Sequence, residues 1–117
     1  MNALFTVHAQ SFERMFSAIN ALRLASQRHR ACRIGLVMYE GHRYGITEAI
    51  VTALMQGNKA EAARLHKLQA RFKAQEDALR LELAAARQAL RQAAETARHE
   101  CAIHKALSFL VEYQEES

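Results

Sequence analysis

Residues 58–112 contain no glycine, no proline and no cluster of turn residues, and they are dense in Ala, Leu, Arg, Glu, Gln and Lys. These residue types lose little freedom in a helix. The stretch therefore reads as one very long helix over residues 58–113, ending in a short acidic tail at 114–117. At the rise of an α-helix it would extend roughly 80 Å, whereas a compact chain of 117 residues has a radius of gyration of only about 13 to 14 Å. It must either pair with a second copy or break and fold back. Asp77 and Thr96 are the available break points, and neither has a glycine beside it. The expectation is an extended helix in a homodimer, in preference to a monomeric bundle.

The helix has a readable seam. Leu65, Leu68, Phe72, Leu79, Leu83, Ala86, Leu90, Ala93, Ala97, Cys101, His104, Ser108 and Val111 follow one another mostly at steps of three and four, the signature of one apolar face. Gln75 or Glu76 interrupts it between Phe72 and Leu79. Spacings of seven, four and seven from Phe72 to Leu90 lie nearer an eleven-residue repeat than a strict heptad. Leu65, Leu68, Phe72, Leu79, Leu83 and Leu90 are the expected self-association residues. Arg91, Arg98 and Lys105 recur at seven on one flank of the seam, as solubilising charges of a coiled coil do.

Residues 1–57 read as a helical head. Thr6 or Ser11 would cap a first helix whose apolar face carries Phe12, Met15, Phe16, Ile19 and Leu22. Residues 31–46 are ambiguous. Their alternating pattern suits a short β-hairpin turning at Glu40 and Gly41, but a lone hairpin is marginal and a helical reading is favoured, with Gly41 and Gly45 in the connection after it. Thr47 would cap a further short helix. Gly57 suits a left-handed helix end, and Asn58 with Glu61 suits a capping box that starts the long helix. The fold class is mainly all-α, a coiled coil or helical bundle in a single domain.

Half of the residues are hydrophobic, but there is no Trp and no Pro, which favours close helix packing with few loops. No run approaches the ~20 apolar residues of a membrane span, and Met1 to Ala9 lacks the basic start of a secretory signal. A cytoplasmic protein is expected, with Cys32 and Cys101 reduced. Most of the formal charge of +4 sits in the head, where six Arg face three Glu, while the long helix is close to neutral.

Candidate chemistry is sparse. His29 with Cys32 and Cys101 with His104 form two pairs at metal-ligand spacing that together could complete a zinc site, although the pairs lie far apart in sequence and the surrounding pattern of a zinc finger is missing. Cys101 with His99 or His104 resembles a nucleophile and base, but a regular helix has no free amides for an oxyanion. Tyr39, Glu40, His42 and Tyr44 gather near two glycines. Residues 47–72 have the outline of a helix-turn-helix, and Arg28, Arg30 and Arg33 could meet phosphates, without the aromatic interleaving that base stacking needs. No cofactor is implied. The favoured reading is a non-enzymatic interaction protein, an adaptor, inhibitor or regulator that binds a larger protein or complex. Its contact residues would be Phe12, Phe16, Phe109 and Leu110 for apolar surfaces and Arg28, Arg30 and Arg33 for acidic ones. A nucleic-acid-binding regulator is the alternative, and a structural zinc protein the third.

Overall fold

The computed structural model describes residues 2–116. They form two helices, α1 over Ala3–Met55 and α2 over Lys59–Glu116. Residues 31–46 lie wholly inside α1, so neither a hairpin nor a connection forms there. Thr6, Ser11 and Thr47 are interior positions rather than caps. Asn2 takes the capping role, its Oδ1 accepting from the Leu4 amide at 2.9 Å. Thr47 Oγ1 instead donates to the Arg43 carbonyl at 3.0 Å. Helix α2 runs unbroken through Asp77 and Thr96, and Gln114 to Glu116 belong to it.

The reversal between the helices is built from the residues that suit it. Gly57 has φ of 73°, where a side chain would be strained. Its amide donates to the Leu54 carbonyl at 3.1 Å, and the Asn58 amide reaches the Ala53 carbonyl at 2.9 Å. Those two bonds are the Schellman pattern, which satisfies the carbonyls that α1 leaves open. Asn58 Oδ1 then accepts from the Glu61 amide at 3.1 Å and caps α2. The reciprocal half of the box does not form, because the Glu61 carboxylate is bound by Arg64 at 2.6 and 2.9 Å.

The chain divides into two compact units, and each helix contributes a segment to both. The turn unit comprises His29–Ala86. Ile50 and Ala53 of α1 pack on Ala62 and Leu65 of α2, with Ile46 and Ala49 against them. Further from the turn, Thr47 meets Gln69 at 2.8 Å, Arg43 meets Glu76 at 2.9 Å and Glu40 meets Arg80 at 3.0 Å. Partners advance along one helix as they retreat along the other, so the segments run antiparallel. A helix-turn-helix would cross at a steep angle, and that reading is excluded.

The terminal unit comprises Met1–Arg28 with Arg87–Ser117. It is antiparallel as well: Asn2 Nδ2 donates to Gln114 Oε1 at 3.0 Å, His8 meets Ser108 at 3.0 Å, and Ser11 meets His104 at 2.8 Å.

Burial in α2 repeats strictly every seven residues. One row runs Ala62, Gln69, Glu76, Leu83, Leu90, Ala97, His104 and Val111; the other runs Leu65, Phe72, Leu79, Ala86, Ala93, Glu100 and Leu107. Glu76, expected as an interruption, fills a buried seam position and is held by Arg43. The apparent eleven-residue drift arose from skipping it. Leu68 lies half-buried beside the seam.

In α1 the inward rows are Leu4, Ser11, Ala18, Ala25, Cys32, Tyr39, Ile46 and Ala53, and His8, Met15, Leu22, His29, Leu36, Arg43 and Ile50. Phe12, Phe16 and Ile19, expected on the packed face, are exposed. The seam of α2 meets α1 of the same chain in both units, and helix length alone no longer calls for a second copy.

These boundaries make opposite predictions for two glycines. Gly57→Ala forces a side chain into the left-handed region and should cost about 1–2 kcal/mol. Gly41 lies within α1, and a Cβ added there would meet nothing within 4 Å, so Gly41→Ala should stabilise by roughly 0.5–1 kcal/mol. Urea unfolding midpoints measure both, and the same sign for the two would contradict the assignment.

A pH dependence follows from the start of α2. The hydrogen bonds from Arg64 hold the Glu61 carboxyl below its ordinary value. A lowered folded value contributes stability above the unfolded carboxylate range and loses it as pH falls through the folded value. Glu61→Gln should melt below the parent at neutral pH, with the gap closing in acid.

Candidate functional site

The terminal unit contains a part-buried polar layer, centred on Ser11, that the sequence pattern did not suggest. Ser11 is fully buried and its Oγ donates to the His8 carbonyl at 2.7 Å. Having used its proton there, it must accept from His104 Nδ1 at 2.8 Å. Ser108 repeats the arrangement: its Oγ donates to the His104 carbonyl at 2.8 Å and so accepts from His8 Nε2 at 3.0 Å. The two imidazoles stack with centroids 4.7 Å apart. Each helix supplies one histidine and one serine, and the tautomers are assigned by the network.

Such a layer is poorly set for nucleophilic catalysis. A histidine that donates to a serine cannot take that serine's proton, and the hydroxyl hydrogens point at backbone carbonyls.

The proposed zinc ligands divide between the two units. His29 and Cys32 belong to the turn unit, Cys101 and His104 to the terminal unit. Among the described residues no group of three or more His, Cys, Asp or Glu is placed to hold a metal ion. His104 Nδ1 is bonded to Ser11. His29 Nε2 is enclosed with no hydrogen-bond partner among the described residues.

The aromatic and acidic cluster near the glycines is dispersed along α1. Tyr39 and His42 lie against the Phe72 ring, each at 5.7 Å between centroids. Glu40 pairs with Arg80, and Tyr44 is exposed beside the Arg43 guanidinium. Arg43 in turn is held above its ordinary value by its hydrogen bonds to Glu76.

The expected contact residues divide among several surfaces. Arg28 belongs to the terminal unit, while Arg30 and Arg33 belong to the turn unit. All three are exposed, but they do not make a single patch of either unit. Phe109 and Leu110 line a shallow recess on α2 with Ala106, Tyr113 and the carboxylates Glu112 and Glu116.

Phe12 and Phe16 form part of a longer row on α1. Phe5, Phe12, Phe16 and Ile19 are 42%, 51%, 65% and 45% exposed, and the rings of Phe12 and Phe16 stack at 6.5 Å. Phe12 also sets its edge on His104 at 5.6 Å. Phe12 thus rests on the polar layer, and the row faces outward. The four side chains present on the order of 400 Å² of apolar surface, the size of the largest patch on an ordinary monomer, which is often functional.

No family model, curated protein or solved structure matches this chain.

The layer yields two expectations. Ser11→Ala leaves the His104 N–H without its acceptor in a closed site and should cost about 1–3 kcal/mol in urea unfolding, whereas Ser17→Ala, at an exposed position, should change little. Nitrogen chemical shifts of the neutral rings should show the proton on Nδ1 of His104 and on Nε2 of His8. The reverse tautomers would disprove the assigned network.

Proposed function

We propose that this chain is a non-enzymatic protein-interaction module, of the adaptor or inhibitor kind, that docks a partner protein on the row Phe5, Phe12, Phe16 and Ile19. The observation that supports it is the exposure of four large apolar side chains along one line of α1, outside the face that packs on α2. Isolated exposed apolar residues are ordinary; a contiguous row with two stacked rings is not. We also infer that the paired helices form an antiparallel coiled coil within each unit, because seam positions in both helices recur at seven.

The row alone would bury about half of the ~800 Å² per partner of a standard interface. A stable dimer built on the row alone would be undersized.

Affinity capture from host cells tests the reading. The double variant Phe12→Ser/Phe16→Ser should lose proteins retained by the parent and by Leu81→Ser, a control at another exposed apolar position, with helicity unchanged by circular dichroism. Identical captured sets would overturn it.

A further inference from the structure

On α2, the residues beside the aromatic row are small. His8 reaches Ser108 while Phe12 touches His104, and Phe12 and Ser108 each lie one turn after a histidine of the stacked pair. They therefore share one flank of the terminal unit. Steps of seven extend that flank to Phe5, Phe12 and Ile19 on α1 and to Ala94, Cys101 and Ser108 on α2. The three α2 residues are half-buried. The opposite flank is marked by Arg14 against Glu100, with Gln10, Ala18 and Thr96 around them.

One further turn outward on α2 come Arg91, Arg98 and Lys105, also at steps of seven and all exposed. No ion pair engages them among the described residues. The flank is thus a trough with an aromatic wall on α1, a floor of small side chains and a cationic wall on α2. Glu95 lies beyond the cationic wall, one turn from both Arg91 and Arg98, and Glu112 ends the row after Lys105. Arg23 follows Ile19 at the end of the aromatic wall, with its guanidinium bound to Asn20 at 2.8 Å.

We infer that this trough receives one amphipathic helix of a partner protein, its apolar face on Phe5, Phe12, Phe16 and Ile19 and its acidic flank on Arg91, Arg98 and Lys105. The inference rests on the docking function proposed above and adds the chemistry of the occupant. A helix matches both walls at once, because the cations repeat every seven residues, about 10.5 Å along an axis, and the carboxylates of a helix can repeat likewise. Small floor residues permit the close approach of a third helix, and groove binding of this kind reads apolar anchors at steps of three and four. A nucleic-acid backbone would meet the cations but leave the phenyl rings uncovered, and a flat lipid surface cannot follow the small-residue floor between the two walls.

Two synthetic helices of about 21 residues test this, both with a Leu and Ala face, one flanked by Glu and the other by Lys. Fluorescence anisotropy should show the Glu peptide binding roughly tenfold or more tightly, with the difference shrinking as salt rises. It should also slow alkylation of Cys101, located by peptide mapping. Arg91→Gln/Arg98→Gln/Lys105→Gln should abolish the preference, and Arg91→Glu/Arg98→Glu/Lys105→Glu should invert it. Equal affinities, an unchanged preference in the charge variants, or no binding of either peptide would overturn the inference. So would tighter binding of phosphatidylserine vesicles or duplex DNA through the same cations. An interaction lost in Phe12→Ser/Phe16→Ser but indifferent to peptide charge would sink this inference alone. Capture from host cells that ignores the aromatic row would sink the docking function itself.

Discussion

A long helix with an apolar seam needs that seam covered, because propensity alone leaves it marginal in water and tertiary packing supplies most of its stability. Here the cover is the other half of the same chain. The reversal at Gln56, Gly57 and Asn58 makes this possible: the left-handed glycine stops one helix, and the asparagine starts the next immediately. Every other feature depends on that arrangement. It sets the antiparallel order within the turn unit, places Glu76 opposite Arg43, and leaves α2 paired to a helix whose own composition is unusual.

Much of α2 was legible from residue types. Leu65, Phe72, Leu79, Leu83, Ala86, Leu90, Ala97, His104 and Val111 were readable as seam residues and are buried or half-buried. Its start was legible too, because glycine followed by asparagine has a specific conformational use. The repeat itself was harder to read, since Gln69, Glu76 and Glu100 occupy seam positions and a hydrophobic pattern cannot show a buried carboxylate with an arginine opposite. That information lies on the other helix, more than thirty residues away in the Arg43–Glu76 pair.

Helix α1 resisted reading for a sharper reason. Its inward rows hold Ser11, His8, His29, Cys32, Tyr39 and Arg43, while Phe12, Phe16, Ile19, Val37, Met38 and Val51 face outward. Hydrophobic periodicity assumes the reverse. Phe12 and Phe16 were therefore placed on the apolar face of a first helix, and their exposure takes them off the face that packs on α2. Gly41 and Gly45, which suggested a connection, are carried inside the helix at a small cost in propensity. The serine and histidine layer was invisible because its members are distant in sequence and each is ordinary alone.

The polar members of α1's inward rows, with large apolar side chains left outside, link stability to recognition. Polar side chains in a seam stabilise little by burial, but they demand particular partners: Ser11 needs His104, and Arg43 needs Glu76. A slip by one heptad would leave those groups enclosed and unpaired, at a cost that an all-leucine seam would not impose. The seam therefore specifies register through its polar members, while the large apolar side chains that could have deepened it lie outside. Those outward side chains leave much of their apolar surface in water, and its hydration opposes solubility. Covering them with a complementary surface recovers that energy on association. A chain built this way has part of its hydrophobic stabilisation still unrealised, available to whatever fits against α1 without disturbing the register beneath.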